Sequence, residues 1–196
     1  MKESFHPFVG VALDIGDRSG MEDEFQVFGL SAKEVAPSGV AYLGAYDGHA
    51  GSLTSSFVRD SLSQVFFSKC KGKQLHFKSQ KMESAMKEAF FAVDDLFFAH
   101  EEQERQEGGH KEQSGSTAAS VVVHPSTWAP IRLPFLPSLC AEDGWGMVAG
   151  AGDSRVVLFH QGKVVVLSTD HRINRSGVPT PESERIISLV GPFSLF

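Results

Sequence analysis

From Met82 to His100 the residues Met82, Met86, Phe90, Val93 and Phe97 recur every third or fourth place, and Ala85, Ala89 and Leu96 widen the row. That spacing puts the apolar side chains on one face of a helix, and such a face has to be covered to leave water. A second row, Phe57, Leu62, Val65 and Phe66, predicts another helix from Leu53. Strands supply the cover. Val40 to Tyr46 is apolar on both faces and reads as a central, fully covered strand, and Thr117 to Val123 is a β-branched run of the same kind. Phe8 to Asp14, Phe25 to Leu30, Met147 to Gly152, Arg155 to His160 and Lys163 to Leu167 read as further strands, the last two joined by a hairpin at Gln161-Gly162.

Ala36 to Gly39 reads as a turn, Lys69 to Lys81 as a solvated connection and Glu101 to Gln113 as a mobile surface loop. The segment His124 to Trp145 carries four prolines and reads as an insertion between two strands. Thr180 caps a last helix, Pro181 to about Val190, which Gly191-Pro192 cuts short. Strands and helices come in blocks, which predicts an α+β fold with largely antiparallel sheets. A length of 196 residues fits one domain, and 16 phenylalanines predict a Phe-rich core.

A formal charge of −6 argues against a nucleic-acid partner. No apolar run is long enough to span a membrane, and no secretory signal is visible. Cys70 and Cys140 offer neither a disulfide framework nor a metal cluster, so the expected setting is reducing, cytoplasmic or nuclear, and the expected state monomeric.

Three acidic groups lie beside glycines near strand ends: Glu22-Asp23, Asp47-Gly48 and Asp153. Carboxylates gathered from separate strand ends suit hard divalent ions such as Mg²⁺ and Mn²⁺, and within these groups the scarcity of histidine and absence of cysteine argue against zinc. Arg18 can grip a phosphate through two parallel hydrogen bonds. His49, next to Asp47-Gly48, can give a proton to a leaving alkoxide near neutral pH. Taken singly, each acid also reads as a turn former or helix cap, Arg18 as one half of a surface ion pair, and His49 as a packing imidazole.

Arg18-Ser19-Gly20-Met21-Glu22-Asp23, Tyr46-Asp47-Gly48-His49-Ala50-Gly51, Ser114-Gly115-Ser116-Thr117-Ala118, Gly152-Asp153-Ser154-Arg155 and Leu167-Ser168-Thr169-Asp170-His171 occur in that order. The series resembles the signature motifs of the metal-dependent protein serine/threonine phosphatases of the PPM, or PP2C, type, from about Phe8 to Val190. The resemblance implies a four-layer α/β/β/α sandwich of two antiparallel sheets. It implies that Asp47 bridges two Mn²⁺ or Mg²⁺ ions, that the Gly48 carbonyl binds one of them, and that Glu22 and Asp23 act on the second. Asp153 would serve a third, weaker site, Arg18 would hold the phosphate of a phosphorylated protein, and His49 would be the general acid. A hydroxide bridging the two ions would attack phosphorus. The Ser114 to Ala118 and Asp170-His171 motifs would be mainly structural.

The family carries two further metal-binding aspartates, in a later Asp-Gly motif and a final Asp-Asn motif, and neither motif occurs here. Residues 1–196 therefore read as the N-terminal part of a single phosphatase domain, truncated, with residues 124–145 inserted and an incomplete second sheet that exposes apolar surface. Little turnover is expected from such a chain. The alternative is a non-catalytic pseudophosphatase, or scaffold, that binds a phosphoprotein.

Overall fold

In the computed structural model the described residues are 9–29, 40–70, 80–108, 113–123, 140–141, 144–172, 181 and 184–185. Five strands make one antiparallel sheet: β1 (Glu24–Phe28), β2 (Ala41–Tyr46), β5 (Ala118–Val123), β7 (Gly144–Ala151) and β6 (Cys140–Ala141), in that spatial order. Two short strands, β3 (Gly48–His49) and β4 (Gly115–Ser116), pair with each other, as do β8 (Val157–His160) and β9 (Lys163–Val166). The helices α1 (Leu53–Cys70) and α2 (Gln80–Gln106) pack together on one face of the large sheet.

The core lies between that face and the helices. Tyr42, Tyr46, Ala118 and Val122 from the sheet meet Leu62 and Phe66 of α1 and Met82, Ala85, Met86, Ala89 and Val93 of α2. Both apolar rows thus face the core where their periodicity puts them, with Phe57, Val65 and Phe90 half-buried at its margin and Leu96 exposed. Tyr42, Gly44 and Tyr46 share the buried face of β2. The tyrosine hydroxyls bond to each other at 2.9 Å, and Tyr42 Oη also meets Ser120 Oγ of β5 at 2.8 Å. Burial raises both phenols, so the hydroxyls stay protonated and the chain of bonds satisfies them inside the core.

The opposite face of the sheet is open in part. On β2, Ala41 is buried, Leu43 half-buried and Ala45 exposed, so the cover on that side ends along the strand. This face borders a cleft of about 800 Å³ whose other walls include Val9, Val11 and Leu13 and residues 154–157. Of the expected first strand, Phe8 to Asp14, residues 9–14 form no ladder among the described residues, although their alternation is apolar. The β8–β9 hairpin turns as expected, through Gln161 and Gly162 at positive φ (50° and 74°), the pattern of a type I′ turn. On one face its cross-strand pairs Val157–Val166 and Phe159–Val164 stay 54%, 57%, 70% and 65% exposed.

Other expectations change. Helix α2 runs to Gln106 rather than ending at His100, because the Glu, Gln and Arg residues read as loop are good helix formers. Among the described phenylalanines, Phe66 and Phe97 are buried and Phe28, Phe57, Phe67 and Phe90 pack half-buried against the core, while Phe25, Phe91, Phe98 and Phe159 are exposed. The 36–39 turn, most of the 69–81 connection and most of residues 124–145 lie outside the described residues, as does the last helix apart from residues 181, 184 and 185.

Candidate functional site

The edge of the sheet beyond β2 gathers the residues singled out by type. Asp47 follows β2 directly, Gly48 and His49 form β3, and a tight turn then leads into α1. Ala50 in that turn has φ 58°, a left-handed conformation that costs a side-chain-bearing residue about 1 kcal/mol or more and clusters at functional positions. A hydrogen bond holds the turn, since Gly51 N–H donates to Glu22 Oε1 at 2.7 Å. Ser55 Oγ, in the first turn of α1, donates to the Glu22 carbonyl at 2.6 Å. A Cβ on Gly48 would come within 2.2 Å of that carbonyl oxygen, so only glycine lets the two segments approach this closely.

Asp47, Asp23 and Asp153 come near one another. The Asp47 carboxyl is pushed above the usual carboxylate value by partial burial, by the negative charges of Asp23 and Asp153, and by a hydrogen bond with Asp23, with His49 opposing. His49 lies against Gly115 of β4, where a Cβ would fall 2.4 Å from Nε2, so the imidazole is seated by the absence of a side chain there. Asp153 faces Arg172 at 3.5 Å. Its loop is anchored by His171 N–H, which donates to the Gly152 carbonyl at 2.8 Å, and by a forked Arg155–Asp170 pair.

The other two expected residues, Glu22 and Arg18, are held by contacts of their own. Glu22 spends a carboxylate oxygen on Gly51. Arg18 sits in an exposed turn, its N–H donating to the Ile15 carbonyl at 3.2 Å, and among the described residues no ion pair joins it to the acids. Sequence reasoning missed Thr117, Ser154 and Arg172 as neighbours of the acids. Thr117 had a signal, its place in a recurring motif, but its contacts join residues far apart in the chain.

Among the described residues no three His, Cys, Asp or Glu side chains stand close enough to enclose an ion. The donors that do converge are all carboxylate oxygens whose mutual repulsion a cation would relieve. They suit a hydrated hard ion such as Mg²⁺ or Mn²⁺, which keeps several waters and takes few protein ligands.

Solved structures share this architecture. A Caenorhabditis elegans sex-determining protein superposes with a TM-score of 0.55 at 18% identity, over 80% of this chain and 32% of that one. A serine-threonine phosphatase 2C from Toxoplasma gondii gives 0.52 at 18% identity, over 81% and 48%. At that identity the likeness establishes the fold, α+β with antiparallel sheets and helices outside. The chain itself belongs to the protein phosphatase 2C family, whose model matches residues 15–194. It is 30% identical over 178 residues to protein phosphatase 2C homolog 2 of Aspergillus flavus and 30% identical over 170 residues to probable protein phosphatase 2C 22 of Arabidopsis thaliana. Those alignments cover 86% and 83% of this chain but 34% and 36% of the relatives, so the chain spans about a third of their length. Among the described residues no helix is long and apolar enough to cross a membrane.

Proposed function

We propose that this chain is the carboxylate-bearing part of one phosphatase domain that hydrolyses phosphoserine and phosphothreonine in proteins with the help of divalent cations, residues 124–145 forming an insertion in it. The crowding of Asp47 by Asp23 and Asp153 carries the reading, because like charges held together without a counter-ion are unfavourable unless something compensates them. Asp47 and the Gly48 carbonyl would hold the principal Mn²⁺ or Mg²⁺, Glu22 and Asp23 would act on a second ion through waters, and Asp153 would serve a weaker third. When bound, such ions neutralise phosphoryl charge and acidify a water for in-line attack. Arg18 would receive the phosphate through its guanidinium fork. His49, seated on Gly115, would give its proton to the departing serine or threonine oxygen. The Gly51–Glu22 bond would keep the Asp47 turn in its left-handed shape.

The test is hydrolysis of p-nitrophenyl phosphate and of a phosphothreonine peptide. Turnover is expected to depend on Mn²⁺ and to be lost in Asp47→Asn. Turnover that survives EDTA or Asp47→Asn contradicts the reading. The second reading, a non-catalytic phosphoprotein binder, is favoured by the lack of an enclosed three-ligand group among the described residues. It requires phosphopeptide binding without metal that is lost in Arg18→Ala.

A further inference from the structure

The Ser114 to Ala118 motif, structural by resemblance, meets the acidic cluster at a single residue. Thr117 N–H donates to the Asp47 carbonyl at 2.8 Å, and the Thr117 hydroxyl accepts from Asp47 N–H at 3.2 Å. One residue thus grips the backbone of Asp47 on both sides. A threonine hydroxyl has one proton and two acceptor sites, so after accepting from Asp47 it still has capacity for another bond. It shares a hydrogen with Ser154 Oγ at 2.5 Å. Its methyl group packs on Gly152, where a Cβ would come within 2.8 Å of Cγ2. Thr117 therefore touches both sequence neighbours of Asp153 as well as Asp47 itself. The rest of the motif is pinned in turn, for Thr54 at the start of α1 donates through Oγ1 to the Ser114 carbonyl at 2.9 Å and through N–H to Ser114 Oγ at 3.2 Å.

We propose that Thr117 is a positioning residue that fixes the separation of the Asp47 and Asp153 carboxylates and thereby sets the affinity of the site for a divalent cation. The physical need is plain: two carboxylates of like charge spread apart unless their backbones are held, and a loop–loop hydrogen bond is the means on hand. The proposal rests on the reading of the acids as cation ligands, and it extends that reading to a residue that touches neither cation nor phosphate. Outer residues that orient ligands typically change metal affinity by about 10–100-fold when removed.

Thr117→Val keeps the shape and the N–H donor and deletes the hydroxyl, whereas Thr117→Ser keeps the hydroxyl and deletes the methyl. Free Mn²⁺ measured by electron paramagnetic resonance in titrations of the full chain gives the affinity without reference to turnover, and thermal melts taken in parallel give stability. The expected result is Mn²⁺ binding about 10–100-fold weaker in Thr117→Val and restored to within a few-fold in Thr117→Ser. A role confined to stability would lower the melting temperature of Thr117→Val and leave Mn²⁺ affinity of the folded protein unchanged, which overturns the proposal while the cation reading stands. Should Thr117→Val fail to fold, Ser154→Ala removes the link to the Asp153 loop alone. Weaker Mn²⁺ binding in it supports the proposal, and wild-type affinity overturns it. Wild-type protein that leaves Mn²⁺ free, or binds it as Asp47→Asn does, overturns the cation reading and this proposal together.

Discussion

Gly44 is where the sheet makes room for its tyrosines, and adding one methyl group there has a cost that can be worked out. A Cβ at this position would lie 2.2 Å from Tyr46 Oη, 2.6 Å from Tyr46 Cζ and 3.1 Å from Tyr42 Cε1. The glycine is not at positive φ, so the penalty is one of space and not of backbone strain. Forcing the ring of Tyr46 aside overpacks the core, about 1–3 kcal/mol. It also breaks the Tyr42–Tyr46 bond and leaves a buried hydroxyl unmatched, about another 1–3 kcal/mol. The stiffer unfolded chain returns about 0.4–1 kcal/mol. Gly44→Ala is therefore expected to lose about 3 kcal/mol, the centre of a summed range of about 1–5.5 kcal/mol. With a urea slope of about 2 kcal/mol/M, the unfolding midpoint followed by circular dichroism falls by about 1–2 M. Gly10→Ala, with nothing within 4 Å of its Cβ, is the control and is expected to stay within about 0.5 kcal/mol of wild type. A midpoint for Gly44→Ala equal to that of wild type refutes the packing described for the sheet's inner face.

Leu62 is 1% exposed in the centre of the core, and Leu62→Ala is expected to lose about 2–5 kcal/mol in the same assay. Phe159→Ser, on the bare face of the hairpin, is expected to change stability by less than about 0.5 kcal/mol and to raise the solubility limit measured by precipitation. Arg155 holds the Asp170 carboxyl below its usual 3.8. That pair therefore stabilises the fold above the ordinary carboxylate value and is lost as pH falls through the lowered one. Urea midpoints of Asp170→Asn across the acid range should fall less steeply than those of wild type. Gly152→Ala, at φ 86° with its Cβ 2.8 Å from Thr117 Cγ2, is expected to melt at a lower temperature than wild type, by several degrees.

The helices were legible because periodicity reports burial directly: Leu62, Phe66, Met82, Met86 and Val93 are core residues by spacing and by structure. The hairpin at Gln161-Gly162 was legible because turn chemistry is local. The expected strand Phe8 to Asp14 misled because alternation signals a strand's faces but not its partner, and no described strand pairs with residues 9–14. β2 was read as covered on both sides because its composition is apolar throughout, yet Leu43 and Ala45 face the open cleft. The acids at the strand ends were recognisable by type. The bonds that hold them join residues up to 70 positions apart, as between Asp47 and Thr117, and no local pattern encodes such a contact.

The claim that carries the account is that the Asp47 cluster is built for a divalent cation. Isothermal titration of Mn²⁺ into the wild-type chain and into Asp47→Asn, in the same low-salt buffer, tests it most directly. The account predicts a saturable isotherm for wild type and at least about tenfold weaker binding in the variant, since the exchange removes the negative charge and replaces one carboxylate oxygen with an amide N–H₂. Superimposable isotherms for the two proteins would contradict it.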